Sequence, residues 1–209
     1  MTQIKRRGRP RLEEQQDLRL GLLRISTELL NEVGPAAISM REVARRVGCT
    51  HQAPYHYFPD KESILAALVE EGFRDLARGL AGANARFPAE GLRATAIASA
   101  QAYIGFALAN PGVFRIMFRP DVCNPARFPG VQEAGQLARG ELEALARLVS
   151  PDEGERAQYA TILWSHVHGL SCLLLDSALS AQPGGPGHDS RHVDLVIARF
   201  ADHLVGSLA

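Results

Sequence analysis

The sequence lacks a net charge, paired cysteines, an apolar leader and a complete catalytic constellation, and each absence removes a class of protein. Its 23 Lys and Arg offset 23 Asp and Glu, which excludes a wholly basic nucleic-acid coat, yet the balance conceals an asymmetry. Residues 1–61 carry 11 Lys/Arg against 7 Asp/Glu, and residues 62–209 carry 12 against 16, so the N-terminal end is the one suited to approach phosphates. Cys49, Cys123 and Cys172 form no CxxC or other zinc-like pair; reduced thiols in a cytoplasm fit them best. The start, MTQIKRRGRPR, is basic but leads into no apolar run, so secretion is not expected. From Ala94 to Phe114 no formal charge occurs, a length that could cross a membrane. Ala-richness, Ser99, Gln101 and the break at Asn110-Pro111-Gly112 favour a buried central helix, apolar around most of its circumference, and no membrane partner.

Catalytic groups are equally scarce. His168 and Cys172 stand one helical turn apart, but no third group orients them and no oxyanion donor is evident. His188 and His192 have metal spacing without a third ligand, and His166 and His168 fall on opposing sides of a helix. We therefore expect no enzyme activity, no metal and no cofactor.

What is present is concentrated in Ser39–Phe58, SMREVARRVGCTHQAPYHYF. Ser39 and Glu42 have capping-box spacing: a hydroxyl for one orphan N–H and a carboxylate reaching back. A helix should start at Met40, with Met40, Val43, Ala44 and Val47 on one face and Arg41, Glu42, Arg45 and Arg46 on the other; Gly48 can end it in the left-handed region. Thr50 reads as the cap of a second helix that crowds His51, Gln52, Tyr55, His56 and Tyr57 together, with Ala53 and Phe58 available to face inward. Two short helices, a tight turn and a donor-rich second member describe a helix-turn-helix whose second helix enters the DNA major groove. Packing against protein alone is the plainer use of such a pair. Within the reading helix, Gln52 suits bidentate recognition of adenine, His51 can reach a base edge or phosphate, and the Ala53 methyl can meet a thymine methyl.

Around this unit, residues 1–16 read as a disordered basic arm. Within it Arg7-Gly8-Arg9-Pro10 resembles the core of an AT-hook, whose arginines lie in a narrow minor groove; a solvated tail adding nonspecific phosphate attraction explains it equally well. Helix one should run from about Asp17 to Val33 on Leu18, Leu22, Ile25, Leu29, Leu30 and Val33, stopped by Gly34-Pro35. Pro59-Asp60-Lys61-Glu62 supplies a break and a cap for a long helix to about Ala85, with Ile64, Leu65, Leu68, Val69, Phe73, Leu76 and Leu80 on one side.

Helix one, Ile38-Ser39-Met40-Arg41-Glu42-Val43-Ala44, Gly48-Cys49-Thr50 and Tyr55-His56-Tyr57-Phe58-Pro59-Asp60-Lys61-Glu62 together resemble the N-terminal domain of the tetracycline-repressor (TetR) family, without a gap over about residues 14–73. The resemblance implies that this domain binds a double-stranded DNA operator and that the C-terminal domain dimerises and binds an inducer. It adds Ser39, Arg41, Thr50, Tyr55, His56, Tyr57 and Lys61 to the DNA-facing set, for phosphates or adjoining base edges. Pro54 departs from the commoner Leu or Ile; lying in or just after the first turn, it should leave the helix intact while changing the tilt of its side chains.

The remainder reads as helical. A short helix over Val113–Phe118, a Pro-rich loop over 119–130, and a helix from Val131 to about Val149 on Leu137, Leu142, Leu145 and Leu148 precede a helix from about Pro151 to Leu179. That last helix carries Trp164-Ser165-His166-Val167-His168-Gly169. One of its stripes is Thr161, Trp164, His168, Cys172 and Leu175; another is Ile162, His166, Gly169 and Leu173. Two apolar faces imply two burial surfaces. After the loop Gln182–Gly187, a final helix shows the stripe Val193, Ile197, Phe200, Leu204. We expect these last two helices to pair with their copies as a four-helix bundle, giving a homodimer. Trp164 with His168-Gly169 resembles a Trp-His-Gly motif of one TetR branch.

Tyr103, Phe106, Phe114, Met117, Phe118, Trp164, His168 and Cys172 are the candidate lining of an effector pocket, with Gln101, Ser165 and Ser171 as further polar groups. Core packing is the plainer role for each aromatic, and His168 could instead be a core histidine bonded to a backbone carbonyl. The expectation is an all-α protein: a basic arm (1–16), a three-helix helix-turn-helix domain (17–60) and a larger helical effector-binding and dimerisation domain (61–209). Its function would be that of a ligand-responsive regulator, most simply a repressor released by an apolar or amphipathic molecule. The alternative is a helical small-molecule-binding or enzymatic protein that retains the module unused.

Overall fold

A computed structural model describes residues 12–179 and 190–206, with side chains from residue 16 onward. Arg7, Arg9, the loop over 182–187 and His188 lie outside the described residues. Eight α-helices follow one another: α1 (Leu12–Ala37), α2 (Met40–Val47), α3 (Lys61–Asn84), α4 (Phe87–Ala109), α5 (Pro111–Met117), α6 (Pro129–Val149), α7 (Glu153–Leu175) and α8 (Ser190–Gly206), with single 3-10 turns at Ala53–His56 and Pro125–Arg127. The all-α expectation holds.

Local chemistry sets most boundaries. Helix α1 begins five residues before the expected Asp17, because Leu-Glu-Glu-Gln-Gln over residues 12–16 are helix-forming types. It breaks at Gly34, whose φ of 72° lies in the left-handed region. Helix α2 starts where Ser39 Oγ accepts from the Glu42 amide at 3.2 Å and ends at Gly48 with φ 80° and ψ 28°. The Glu42 carboxylate does not reach back to the cap as its spacing suggested; two arginines on its own helix, Arg45 and Arg46, hold it instead. A complete capping box forms at α3, where Asp60 Oδ1 accepts from the Ser63 amide at 2.7 Å and Ser63 Oγ accepts from the Asp60 amide at 3.1 Å.

Helix α3 is the spine, about 36 Å long at 1.5 Å per residue, and it packs on α1, α4, α5 and α6. Its buried line from Ile64 to Leu80 belongs to one hydrophobic core that reaches from Leu22 and Val43 to Tyr103, Val167 and Ile197. A second, smaller core joins α4, α6, α7 and α8 through Ala96, Leu145, Leu163, Ala201 and Leu204.

Three expectations about packing are corrected. Helix α4 is buried on one face only: Thr95, Ser99, Tyr103, Ile104 and Ala107 point inward, while Gln101, Gly105 and Leu108 face solvent. Freedom from charge was taken for freedom from water, yet Ala and Gly can stand exposed at little cost. On α6 the inward line is Val131, Ala134, Ala138, Leu145 and Val149, and Leu137 is 58% exposed, because small residues let α6 approach α3 closely. On α7 the core-facing line is Leu163, Val167, Leu170, Ser171 and Leu174, a third stripe lying between the two read from sequence. Among the described residues no helix is long and apolar enough to cross a membrane.

Candidate functional site

Two polar arrangements stand out, one outside the core and one inside it. The first is built on α2 and the segment after it. Gly48 and Cys49 both return their amides to the Ala44 carbonyl, at 3.0 Å each, which turns the chain sharply. The α-helix expected from Thr50 is instead one 3-10 turn: the Ala53, Tyr55 and Tyr57 amides donate to the Thr50, Gln52 and Pro54 carbonyls at 3.0, 3.1 and 3.0 Å. Pro54 is the cause. It has no N–H to give the Thr50 carbonyl, so that carbonyl bonds one residue closer and the turn tightens. The proline is itself buried, as is Phe58, over whose ring the Arg19 guanidinium lies at 5.6 Å.

Anchored by Pro54 and Phe58, the turn leaves Ser39, Arg41, Thr50, His51, Gln52, Tyr55 and His56 exposed together, with Ala53 and Lys61 half-buried beside them. Tyr57 is partly packed against the core. Lys61 Nζ donates to the Ala36 carbonyl at 3.1 Å, leaving two of its donors free. Arg46 plays a part the sequence did not disclose. Its guanidinium bonds Glu42 at 3.0 Å and Glu32 of α1 at 2.9 Å, bracing α2 against α1. Hydrogen bonds from Arg45 and Arg46 hold the Glu42 carboxyl down at about 2. Glu32 stands fourteen residues from Arg46, and no periodicity links the two.

The second arrangement is internal. Trp164 Nε1 can only donate, and it donates to Tyr103 Oη at 3.1 Å; the same hydroxyl shares a hydrogen bond with His168 Nδ1, 3.0 Å away. Burial pushes the Tyr103 hydroxyl above its ordinary range and the His168 imidazole below its own, so both are neutral near pH 7. Phe114 and Phe118 close the cluster, with the Phe118 ring 4.7 Å from that of His168 and 5.8 Å from that of Trp164. His168 thus bonds a side-chain hydroxyl, where a backbone carbonyl was the plainer expectation.

Two clefts flank this cluster. One, of about 270 Å³, is walled by Phe73, Leu76 and Leu80 of α3, Tyr103, Phe118, Leu142 and Trp164, with Arg139 and Glu143 paired at 2.9 Å on its lining. The other, of about 240 Å³, is lined by Phe114, Arg115, Phe118, Arg119, His168, Cys172, Leu175 and Asp176. Six of the eight residues proposed as pocket lining therefore border a cleft. Phe106 and Met117 border neither; both pack on Gly72 of α3, where a missing side chain admits them. Of the further polar groups, Gln101 bonds Asp194 of α8, Ser171 bonds the Val167 carbonyl, and Ser165 is exposed, so none faces the clefts. Phe73, Leu76 and Leu80 were missed as lining because a core stripe and a pocket wall share one periodicity.

A short helix-turn-helix head on a larger helical body with an internal, largely apolar cleft defines a class of two-part regulators. Residues 22–68 match the family model described as bacterial regulatory proteins, tetR family, and residues 96–200 match the tetracyclin repressor-like C-terminal domain. The chain belongs to the TetR family of transcriptional regulators, which are not enzymes. It is similar to HTH-type transcriptional regulators of Mycobacterium bovis and Mycobacterium tuberculosis, 26% identical over 118 residues, or 56% of this chain. The chain spans about half the length (50%) of these curated relatives. A solved structure of a protein with unknown function from Rhodococcus sp. RHA1 is 27% identical with a TM-score of 0.74, covering 100% of both chains. The TetR family regulator PfmR of Thermus thermophilus shares the fold at 18% identity and TM-score 0.65, over 88% of this chain and 96% of its own.

Proposed function

We propose that this chain is a cytoplasmic, homodimeric, ligand-responsive repressor that binds a palindromic DNA operator and is released from it by a small apolar or amphipathic effector. The carrying observation is the exposed set His51, Gln52, Tyr55 and His56, fixed on a turn whose other side, Pro54 and Phe58, is buried. Gln52 and His51 read base edges, with Ala53 against a thymine methyl; Ser39, Arg41, Thr50, Tyr55, His56, Tyr57 and Lys61 hold phosphates or adjoining edges, and Arg7 and Arg9 extend the contact along the minor groove. The head (17–60) and the effector-binding and dimerising body (61–209) divide these tasks, and α3 joins them.

Dimerisation is supported by exposed apolar residues on the last two helices, Ile162 and Leu173 on α7 and Leu195 on α8. A twofold pairing places two reading turns about 34 to 36 Å apart, in successive major grooves. The effector occupies the first cleft beside Tyr103, Phe118 and Trp164, with Trp164 of the Trp-His-Gly residues on its wall. By binding better to the conformation with misplaced heads, it shifts the population off DNA. Helix α5 is suited to carry that shift. Phe114 and Phe118 stand at the clefts, and the Gly112 amide donates to Asn31 Oδ1 of α1 at 2.8 Å.

The test is fluorescence anisotropy with the DNA upstream of the chain's own gene at several salt concentrations. A specific complex whose affinity falls steeply with salt is expected. Equal binding to that DNA and to a scrambled duplex would sink the proposal and favour a helical binding protein with an unused module.

A further inference from the structure

The two clefts share Phe118 but differ in charge. In the first, Arg139 and Glu143 are paired with each other, so its charged lining sums to zero. In the second, two arginines, Arg115 and Arg119, line the wall with one carboxylate, Asp176. These guanidiniums are held by exposed partners: Arg115 by Asp176 at 2.8 Å and Arg119 by Asp121 at 2.6 Å, with side chains 53 to 63% exposed. Surface pairs of this kind contribute little and exchange readily. His168 also lines this wall, its Nδ1 lying 3.0 Å from the Tyr103 hydroxyl. The partition between the clefts is a set of aromatic rings. Phe118 follows the last residue of α5, with φ −107° and ψ 21°, and is half-buried where it borders both clefts. Its ring lies 5.5 Å from Phe73 and 5.5 Å from Phe114, as well as against Trp164 and His168.

We propose that the second cleft is the anion-binding half of a bipartite site and that the effector is an amphiphile bearing one carboxylate. Its apolar body lies in the first cleft against Phe118, and its carboxylate takes Arg119 and Arg115 from their aspartates in the second. This rests on the reading of the first cleft as the effector site. An apolar body bound there presents the carboxylate to Arg119 at high effective concentration, and the bonds it forms with two guanidiniums favour the anion over a neutral head group.

Trp164 is the single tryptophan of the chain and stands at the partition, so its fluorescence reports occupancy. The full-length protein is titrated with decanoate and with decanol at constant ionic strength. Decanoate is expected to bind about three- to fivefold more tightly, the value of ion pairs at partly exposed guanidiniums. In the Arg115→Gln/Arg119→Gln variant the two affinities should converge to within about twofold through weaker binding of the acid. Arg115 also bonds the Leu175 carbonyl at 3.0 Å, so Arg119→Glu, which spares that contact, is the second variant; it should reverse the preference. Equal affinities in the native protein, or a preference for acid that survives both variants, overturn the bipartite site and leave the first cleft's role standing. Failure of both ligands to change Trp164 fluorescence or to protect against thermal unfolding removes the first-cleft reading, and this proposal with it.

Discussion

In the head, residues 17–60, the side chains of His51, Gln52, Tyr55 and His56 turn outward and find no buried partner, whereas in the body Tyr103, Trp164 and His168 direct their polar atoms at one another. Both regions gather aromatic and imidazole groups, yet the energetics are opposed. Exposed groups of the head add little to folding and remain available to a partner. In the body's triangle Tyr103 is buried while Trp164 is 40% exposed, so it is the Tyr103 hydroxyl that must be paired or cost about 1–3 kcal/mol. The head is held instead from behind, by the Ser39 and Asp60 caps, by Pro54 and Phe58, and by Arg46 bracing α2 on α1.

The largest effect should come from Tyr103→Ala, which opens a cavity at a 1% exposed position and orphans two donors or acceptors. A loss of about 3–5 kcal/mol is expected from denaturant unfolding; a loss below about 1 kcal/mol would show that the triangle is not a structural element. Next is Gly112→Ala, at the seam between the two regions. A Cβ there would stand 2.5 Å from Asn31 Oδ1 and 2.9 Å from Leu30 Cβ, so α5 and α1 must separate, at about 1–3 kcal/mol. If α5 couples the regions, the effector should lose its ability to release operator in this variant, while a simple stability loss would leave release intact.

In the head the sign of the comparison reverses. Gln52→Ala should remove about 1–3 kcal/mol of discrimination between operator and random DNA, and leave stability within about 0.5 kcal/mol. Lys61→Ala should weaken both duplexes alike and lower the salt slope by about 0.9. Equal losses from both substitutions on both duplexes would erase the distinction between reading and holding.

The smallest effect concerns pH. Burial lowers the His168 imidazole from its ordinary value of 6.5, so below that pH the unfolded chain binds a proton that the folded chain refuses. Its stabilising contribution is complete above 6.5 and declines as the pH falls toward the folded value. His168→Gln should flatten the pH dependence of the melting temperature below neutrality; an unchanged profile would assign the effect to His166, which burial shifts in the same direction.

Legibility followed the range of the interaction. Caps, breaks and amphipathic stripes act within one or two turns, so α2, the start of α3 and the apolar line of α3 could be read directly. The 3-10 turn was missed because the cost of Pro54 was reckoned for one N–H, while the same residue also serves as a buried anchor. On α7 the charge-free run fitted several faces equally, and only the helices packed around it selected Leu163, Val167, Leu170 and Leu174. Aromatic composition alone suggested a pocket but could not separate Phe118, which borders both clefts, from Phe106 and Met117, which fill the gap at Gly72.

The sequence by itself determined the helical fold class, the family and the outward chemistry of the reading turn, since these depend on spacings of a few residues. Tertiary structure decided that Tyr103 joins Trp164 and His168 across 61 and 65 residues, that Arg46 braces Glu32, and that α3 is at once spine and pocket wall. Such pairings are set by how whole helices dock, and helix docking depends on the shapes of several faces at once, which no local period records.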